Sequence, residues 1–232
     1  MKSFFDPDSP LAQFLFRIMD LCIINVLMLI CCIPIVTIGP AVAAAHKTTQ
    51  DMVFDTGSGV AVPFFRAFKA NFKQAIVVWL CSAALIAGLF GYYILVGALA
   101  SGVLKTILYV ILAIFAIVAL LILSFLYPMM TRYENKLIQH FRNAILLVLL
   151  HLPRGLVMVA VSISPLVLAL ISWSTFLQFG FFWLIIGLAF LILIQSYLMK
   201  SIFVKLEEQQ ALNQLAAETP SFVDDSEAEP EE

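Results

Sequence analysis

Residues 33–51 read Ile-Pro-Ile-Val-Thr-Ile-Gly-Pro-Ala-Val-Ala-Ala-Ala-His-Lys-Thr-Thr-Gln-Asp, and the fold depends on how this stretch joins what precedes and follows it. An apolar run from Leu21 to Cys32, without one charged side chain, leads into it, and charge returns only at Lys47 and Asp51. Pro34 removes a backbone donor near the end of the run. Pro40 pushes Gly39 toward extended geometry and is itself preorganised for the first turn of a helix. The pattern predicts a helix, a sharp turn through Pro34, Thr37, Gly39 and Pro40, and a second, short helix from about Pro40, where a membrane span meets water.

Working outward, composition sets the class: 62% of the 232 residues are hydrophobic, 12% are charged and the mean hydropathy is +1.03. Such a chain is a polytopic membrane protein. The expected fold is all-α, with five transmembrane helices at about 11 or 21 to 38, 75–99, 106–127, 155–173 and 180–199, each able to cross a hydrocarbon core of about 30 Å. Residues 1–206 form the membrane domain. Residues 207–232 are expected to extend the last helix and then become an acidic, disordered tail from about Glu218. Cleavage after Ala41-Val42-Ala43 is not expected, because Asp6, Asp8 and Asp20 leave no positively charged segment ahead of the apolar run. Cys22, Cys31, Cys32 and Cys81 lie in apolar runs and read as small buried hydrophobes.

The segment 33–41, followed by Phe64-Phe65-Arg66-Ala67-Phe68-Lys69-Ala70-Asn71-Phe72-Lys73-Gln74-Ala75 and by Asn143-Ala144 leading to His151-Leu152-Pro153-Arg154, resembles the YesL-like family of bacterial integral membrane proteins over about residues 4–205. The resemblance implies a multi-pass protein of the bacterial plasma membrane linked to ABC-type carbohydrate uptake. It supplies no catalytic residue.

Lysine and arginine suggest an orientation. The 39–74 connection carries Lys47, Arg66, Lys69 and Lys73; the 128–154 connection carries Arg132, Lys136, Arg142 and Arg154; Lys200 and Lys205 follow the last span. Five spans with the amino terminus outside and the carboxyl terminus inside place these on the cytoplasmic side. Amphipathic cytoplasmic helices are expected to connect the spans. At 100° per residue, Phe64, Phe65, Phe68 and Phe72 share an arc of about 100° and Arg66, Lys69 and Lys73 one of about 60°, the pattern of an interfacial helix. Arg66, Lys69, Lys73, Arg142 and Arg154 therefore read as facing lipid or a partner. Ala83, Ala87 and Gly91 form a small-residue stripe suited to helix packing. Phe72-Lys73-Gln74-Ala75-Ile76 matches Phe141-Arg142-Asn143-Ala144-Ile145, so a repeat of two parallel helical hairpins is also readable, with Pro153 a departure where the first copy has Ala84.

Little of this suggests chemistry. His46, His140 and His151 lie near span ends without metal-ligand spacing, and 97–106 departs from a phosphate-binding loop. Arg17, Asp20 and Asn25 form a possible intramembrane polar site, with Arg17 and Asp20 three apart and able to pair. Pro34 and Pro165 are expected to kink their spans. No cofactor, metal or catalytic residue is expected. The expected partners are the lipid bilayer, membrane subunits of a sugar importer or a second copy of the chain, and no nucleic acid. The leading expectation is a non-enzymatic accessory or regulatory partner of a carbohydrate uptake system; the alternative is a small transporter with its path between the two repeats.

Overall fold

The structure is a computed structural model that describes residues 9–57 and 59–218. The irregular start, most of it before Ser9, and the acidic tail beyond Glu218 lie outside the described residues. All the regular structure described is helical: α1 (Pro10–Cys31), a 3₁₀ turn (Ile35–Thr37), α2 (Ile38–Val53), α3 (Ala61–Leu99), α4 (Gly102–Arg132), α5 (Leu137–Leu150), α6 (Leu152–Ile171), α7 (Trp173–Gln178), α8 (Gly180–Phe182), a π-helical segment (Trp183–Gly187) and α9 (Leu188–Glu218). Five helical stretches are long and apolar enough to cross a membrane: α1, α3, α4, α6 and the run from α8 into α9.

The opening stretch forms the turn predicted for it. Ser9 caps α1, its hydroxyl accepting from the Ala12 amide at 3.2 Å. At the other end of α1 the Thr37 hydroxyl lies 2.7 Å from the carbonyl oxygens of both Cys31 and Pro34, covering acceptors that the last helical turn leaves open. Pro34 sits in this turn, not in a span, so it reverses the chain where a kink was expected. Pro40 is the third residue of α2, where a helix makes no intrahelical use of the amide that proline lacks.

α2 does not continue away from α1 into a water-exposed connection. It folds back along it. Arg17, near the start of α1, pairs with Asp55, just past the end of α2, at 2.8 Å. The neighbouring Phe54 ring lies 4.0 Å below the Arg132 guanidinium at the end of α4, and Lys200 of α9 donates to the Val53 carbonyl at 2.8 Å. The starts of α1 and α3, the ends of α2 and α4 and the Lys200 turn of α9 thus share one end of the bundle. The chain enters with α1 and returns with α2, leaves with α3 and returns with α4, leaves with α6 and returns with α9. The start of α1 and the connection after α2 thus lie at the same end of the bundle, where the sequence reading placed them at opposite ends.

α2 is the central helix. Gly39, Pro40, Ala41, Ala43, Ala44 and Ala45 are buried, and so are His46, Thr48, Thr49 and Gln50. Its small residues let α3 approach closely: a Cβ on Gly39 would lie 2.7 Å from the Trp79 Cβ and would overlap the Ala75 carbonyl. Around it pack α1, α3, α4 and α9. Gly155 likewise brings α6 close to α4, where a Cβ would meet the Leu121 and Phe125 side chains at 2.9 Å.

α3 is one helix of 39 residues, about 58 Å long, nearly twice the thickness of a hydrocarbon core. The amphipathic segment 64–74 is therefore its first portion and not a separate interfacial helix. Phe64 is fully buried and packs with Leu21, Ile24 and Ala44, with Phe68 against the same cluster; only Phe65 of the first three rings is exposed. Phe64 and Phe68 hold protein to protein. The Ala83, Ala87 and Gly91 stripe is not a packing seam within the chain, since a Cβ on Gly91 would meet nothing within 4 Å.

Candidate functional site

At the end of the bundle where these helices converge, the last turns of α2, the first half of α3 and the α4–α5 connection enclose a groove of about 910 Å³. Its charged lining is Lys47, Asp51, Arg66, Arg132, Glu134 and Lys136. Lys47 and Asp51 stand four apart on α2 and pair at 3.0 Å. Asp51 also anchors the loop that follows, its backbone carbonyl accepting from the Thr56 amide at 3.0 Å. Arg132 is held three ways: it pairs with Glu207 of α9 at 2.8 Å and stacks over Phe54 at 4.0 Å and Phe203 at 5.9 Å. Gln74 ties α3 to the connection by donating to the Asn135 carbonyl at 3.2 Å. Among the described residues Arg66, Lys136 and Glu134 make no ion pair, so the groove presents two uncommitted cations and one uncommitted acid beside two compensated cations.

Tyr133, also in the lining, has a buried hydroxyl without a hydrogen-bond partner. Burial pushes that hydroxyl above the ordinary tyrosine range, and the Glu207 carboxylate adds to the effect while Arg132 opposes it. The groove can thus bind anions or acidic side chains through cations on α3 and the α4–α5 connection, with a neutral phenol beside them.

Of the residues read from sequence as lipid- or partner-facing, Arg66 lines the groove, and Lys69 and Lys73 are exposed on the adjoining face of α3. Arg142 is exposed on α5, and half-buried Arg154 is near His151; neither joins the groove. Arg17, Asp20 and Asn25 do not form one site. Arg17 turns to Asp55, not Asp20, and Asn25 is a structural clamp. Its Nδ2 donates to the Trp183 and Leu184 carbonyls at 3.1 and 2.7 Å, and its Oδ1 accepts from the Ala189 amide at 2.9 Å. A π-helical turn leaves such backbone groups short of their usual partners, and one buried amide satisfies three of them. His46 and His140 are buried, not interfacial. The cysteines are free thiols; Cys81 is exposed on α3, and the other three are half-buried. No cluster of potential metal ligands occurs among the described residues.

Sequence reading passed over Lys47, Asp51, Arg132 and Lys136 as site residues. Only the four-residue spacing of Lys47 and Asp51 signalled a pair; the groove needs the return of α2, which brings 47–51 against 130–136.

The family model described as "Protein of unknown function, DUF624" matches residues 21–93, under half of the chain. The match covers the Pro34–Pro40 turn and the 64–75 segment but not 143–154. No curated protein and no solved structure matches the chain.

Proposed function

We propose that this protein is a multi-pass component of the bacterial plasma membrane whose basic groove faces the cytoplasm and docks an acidic segment of a membrane partner, making it an accessory or regulatory protein of a carbohydrate uptake system. The observation that supports this most is the groove itself, in which uncommitted Arg66 and Lys136 are mounted on α3 and the α4–α5 connection, with Lys69 and Lys73 at its margin. The orientation draws on charge. With both arms of the α1–α2 hairpin at the groove end, Arg17, Lys47, Arg66, Lys69, Lys73, Arg132, Lys136, Arg142, Arg154, Lys200 and Lys205 belong to that side, and Lys105 belongs to the other. The carbohydrate link draws on the family resemblance.

The test is extraction in a mild detergent followed by mass spectrometry of what co-purifies, with the wild-type chain and with Arg66→Glu/Lys136→Glu. Sugar-importer membrane subunits should accompany the wild type and be lost from the double variant. A protein that emerges alone or only with itself, or a partner retained undiminished by the variant, would overturn the proposal. A second reading, a small transporter, is favoured by one feature: buried polar residues of α2 that lead from the groove to the place where α4 of one hairpin meets α6 and α9 of the other.

A further inference from the structure

Beneath the groove, where α2, α4, α6 and α9 meet, there is a cavity of about 310 Å³ that opens on the flank of the bundle beside exposed Leu120. Each of the four helices contributes polar lining: His46 from α2, Ser124 and Tyr127 from α4, Ser162 from α6 and Gln195 from α9. The remaining lining is aliphatic, including Leu120, Leu123, Leu188 and Leu191, and no acid, lysine or arginine contributes. The polar groups are held in place. The His46 and Tyr127 rings stack with centroids 6.1 Å apart and 15° between planes, and Gln195 Nε2 donates to Ser162 Oγ at 2.7 Å. Pro128 has no amide to give the Ser124 carbonyl one turn earlier, so α4 offers a backbone acceptor free of its helical bond at a cavity residue. His46 is 4% exposed and its Nδ1 has no hydrogen-bond partner.

Polar groups also connect the cavity to the groove. Gln50, one turn beyond His46, donates to the Pro128 carbonyl at 2.9 Å while its own buried Oε1 lacks a partner. Thr131, which lines the groove, donates to the same carbonyl at 3.0 Å. Buried polar atoms are normally paired, and the unpaired His46 Nδ1, on a residue that lines the void, points to an occupant that completes it.

We propose that the His46 cavity binds a small, uncharged, polyhydroxylated molecule of about pentose size. The size follows from the volume: at about 30 Å³ for each water in the liquid, the cavity holds roughly ten non-hydrogen atoms. The class follows from the lining. The His46 imidazole, the Tyr127 phenol and the Gln195 amide can donate to or accept from hydroxyls, Ser124 and Ser162 can accept because their own hydrogens go to the Leu120 and Met158 carbonyls, and leucines cover the carbon face of such a ligand. A charged ligand would be left without a counter-charge in a low-dielectric site. The inference does not depend on the docking reading; it gives the transporter reading a site.

The experiment uses the full chain in mild detergent, with the native cysteines replaced and Ser124→Cys introduced, and follows alkylation by N-ethylmaleimide. Xylose should slow labelling saturably, by about tenfold at about ten times its dissociation constant, while gluconate of equal concentration should not. The protection should be lost in Gln195→Leu and weakened in Tyr127→Phe, which keeps the ring over His46 and so separates binding from folding. Failure of Ser124→Cys to label, equal slowing by gluconate, or protection unchanged in both variants would overturn the proposal. None of these outcomes bears on partner co-purification, so the two proposals fail separately.

Discussion

Gly39 carries the closest approach in the bundle, and its replacement separates packing from chain flexibility. Gly39→Ala would drive a Cβ into the backbone of α3 at Ala75, which has no freedom to rotate away, whereas Gly91→Ala adds a Cβ in open space. Overpacking of this kind costs about 1–3 kcal/mol, while Ala is favoured over Gly in a helix interior by about 1 kcal/mol. Thermal unfolding in detergent should show a lowered midpoint for Gly39→Ala and an unchanged or raised one for Gly91→Ala; a Gly39→Ala protein as stable as wild type would refute the close packing of α2 on α3. At this scale the sequence was half legible. The turn residues Pro34, Thr37, Gly39 and Pro40 announced themselves through backbone chemistry that is local. Asn25 did not, because its three partners lie more than 150 residues away in a π-helical turn that no local pattern marks.

Elements whose faces meet lipid were readable, and the element that meets only protein was not. α3, α4, α6 and α9 present broad apolar surfaces, and their positions emerge from hydrophobic runs alone. α2 is enclosed by other helices, so it can be built of Ala, Thr, His and Gln and still be buried, and such a composition reads as an aqueous connection. The repeat has a partial counterpart in the two hairpins, α3–α4 and α6–α9, that leave from the groove end. Its departure at Pro153 has a physical consequence: the chain breaks between α5 and α6 there, while α3 runs on unbroken past Ala84. α5 also carries a pH response. Burial lowers the affinity of His140 for a proton below that of an ordinary histidine, with the Asn135 backbone opposing, and His151 is shifted the same way by burial and by Arg154 and Lys205. The unfolded chain therefore binds more protons than the folded one once pH drops below about 6.5, and stability must fall in that direction. The unfolding midpoint should decline between about pH 7 and about pH 5, less steeply in His140→Gln. A midpoint that rises on acidification would contradict the burial of these rings.

For the whole molecule, the central claim is that α1 and α2 return the chain to the end from which it started. The turn between them, with Ile33, Ile35 and Val36 at 78%, 72% and 52% exposure and no charge, has the chemistry of a surface that meets lipid rather than water. The same return brings Lys47 and Asp51 to the groove and His46 to the cavity, so both proposed sites depend on it. Counting lysine and arginine could not reveal it, because a charge-free turn leaves the balance of the loops almost unaltered whether the chain crosses there or comes back. Single cysteines at Ser9, Thr56, Thr175 and Glu208, in a chain lacking its native cysteines, can be probed with a membrane-impermeant maleimide in intact cells and again after permeabilisation. Ser9→Cys, Thr56→Cys and Glu208→Cys should all stay protected until the membrane is opened, while Thr175→Cys reacts from outside; a Ser9→Cys protein that labels in intact cells while Thr56→Cys does not would place the two ends of the hairpin on opposite sides and contradict the account.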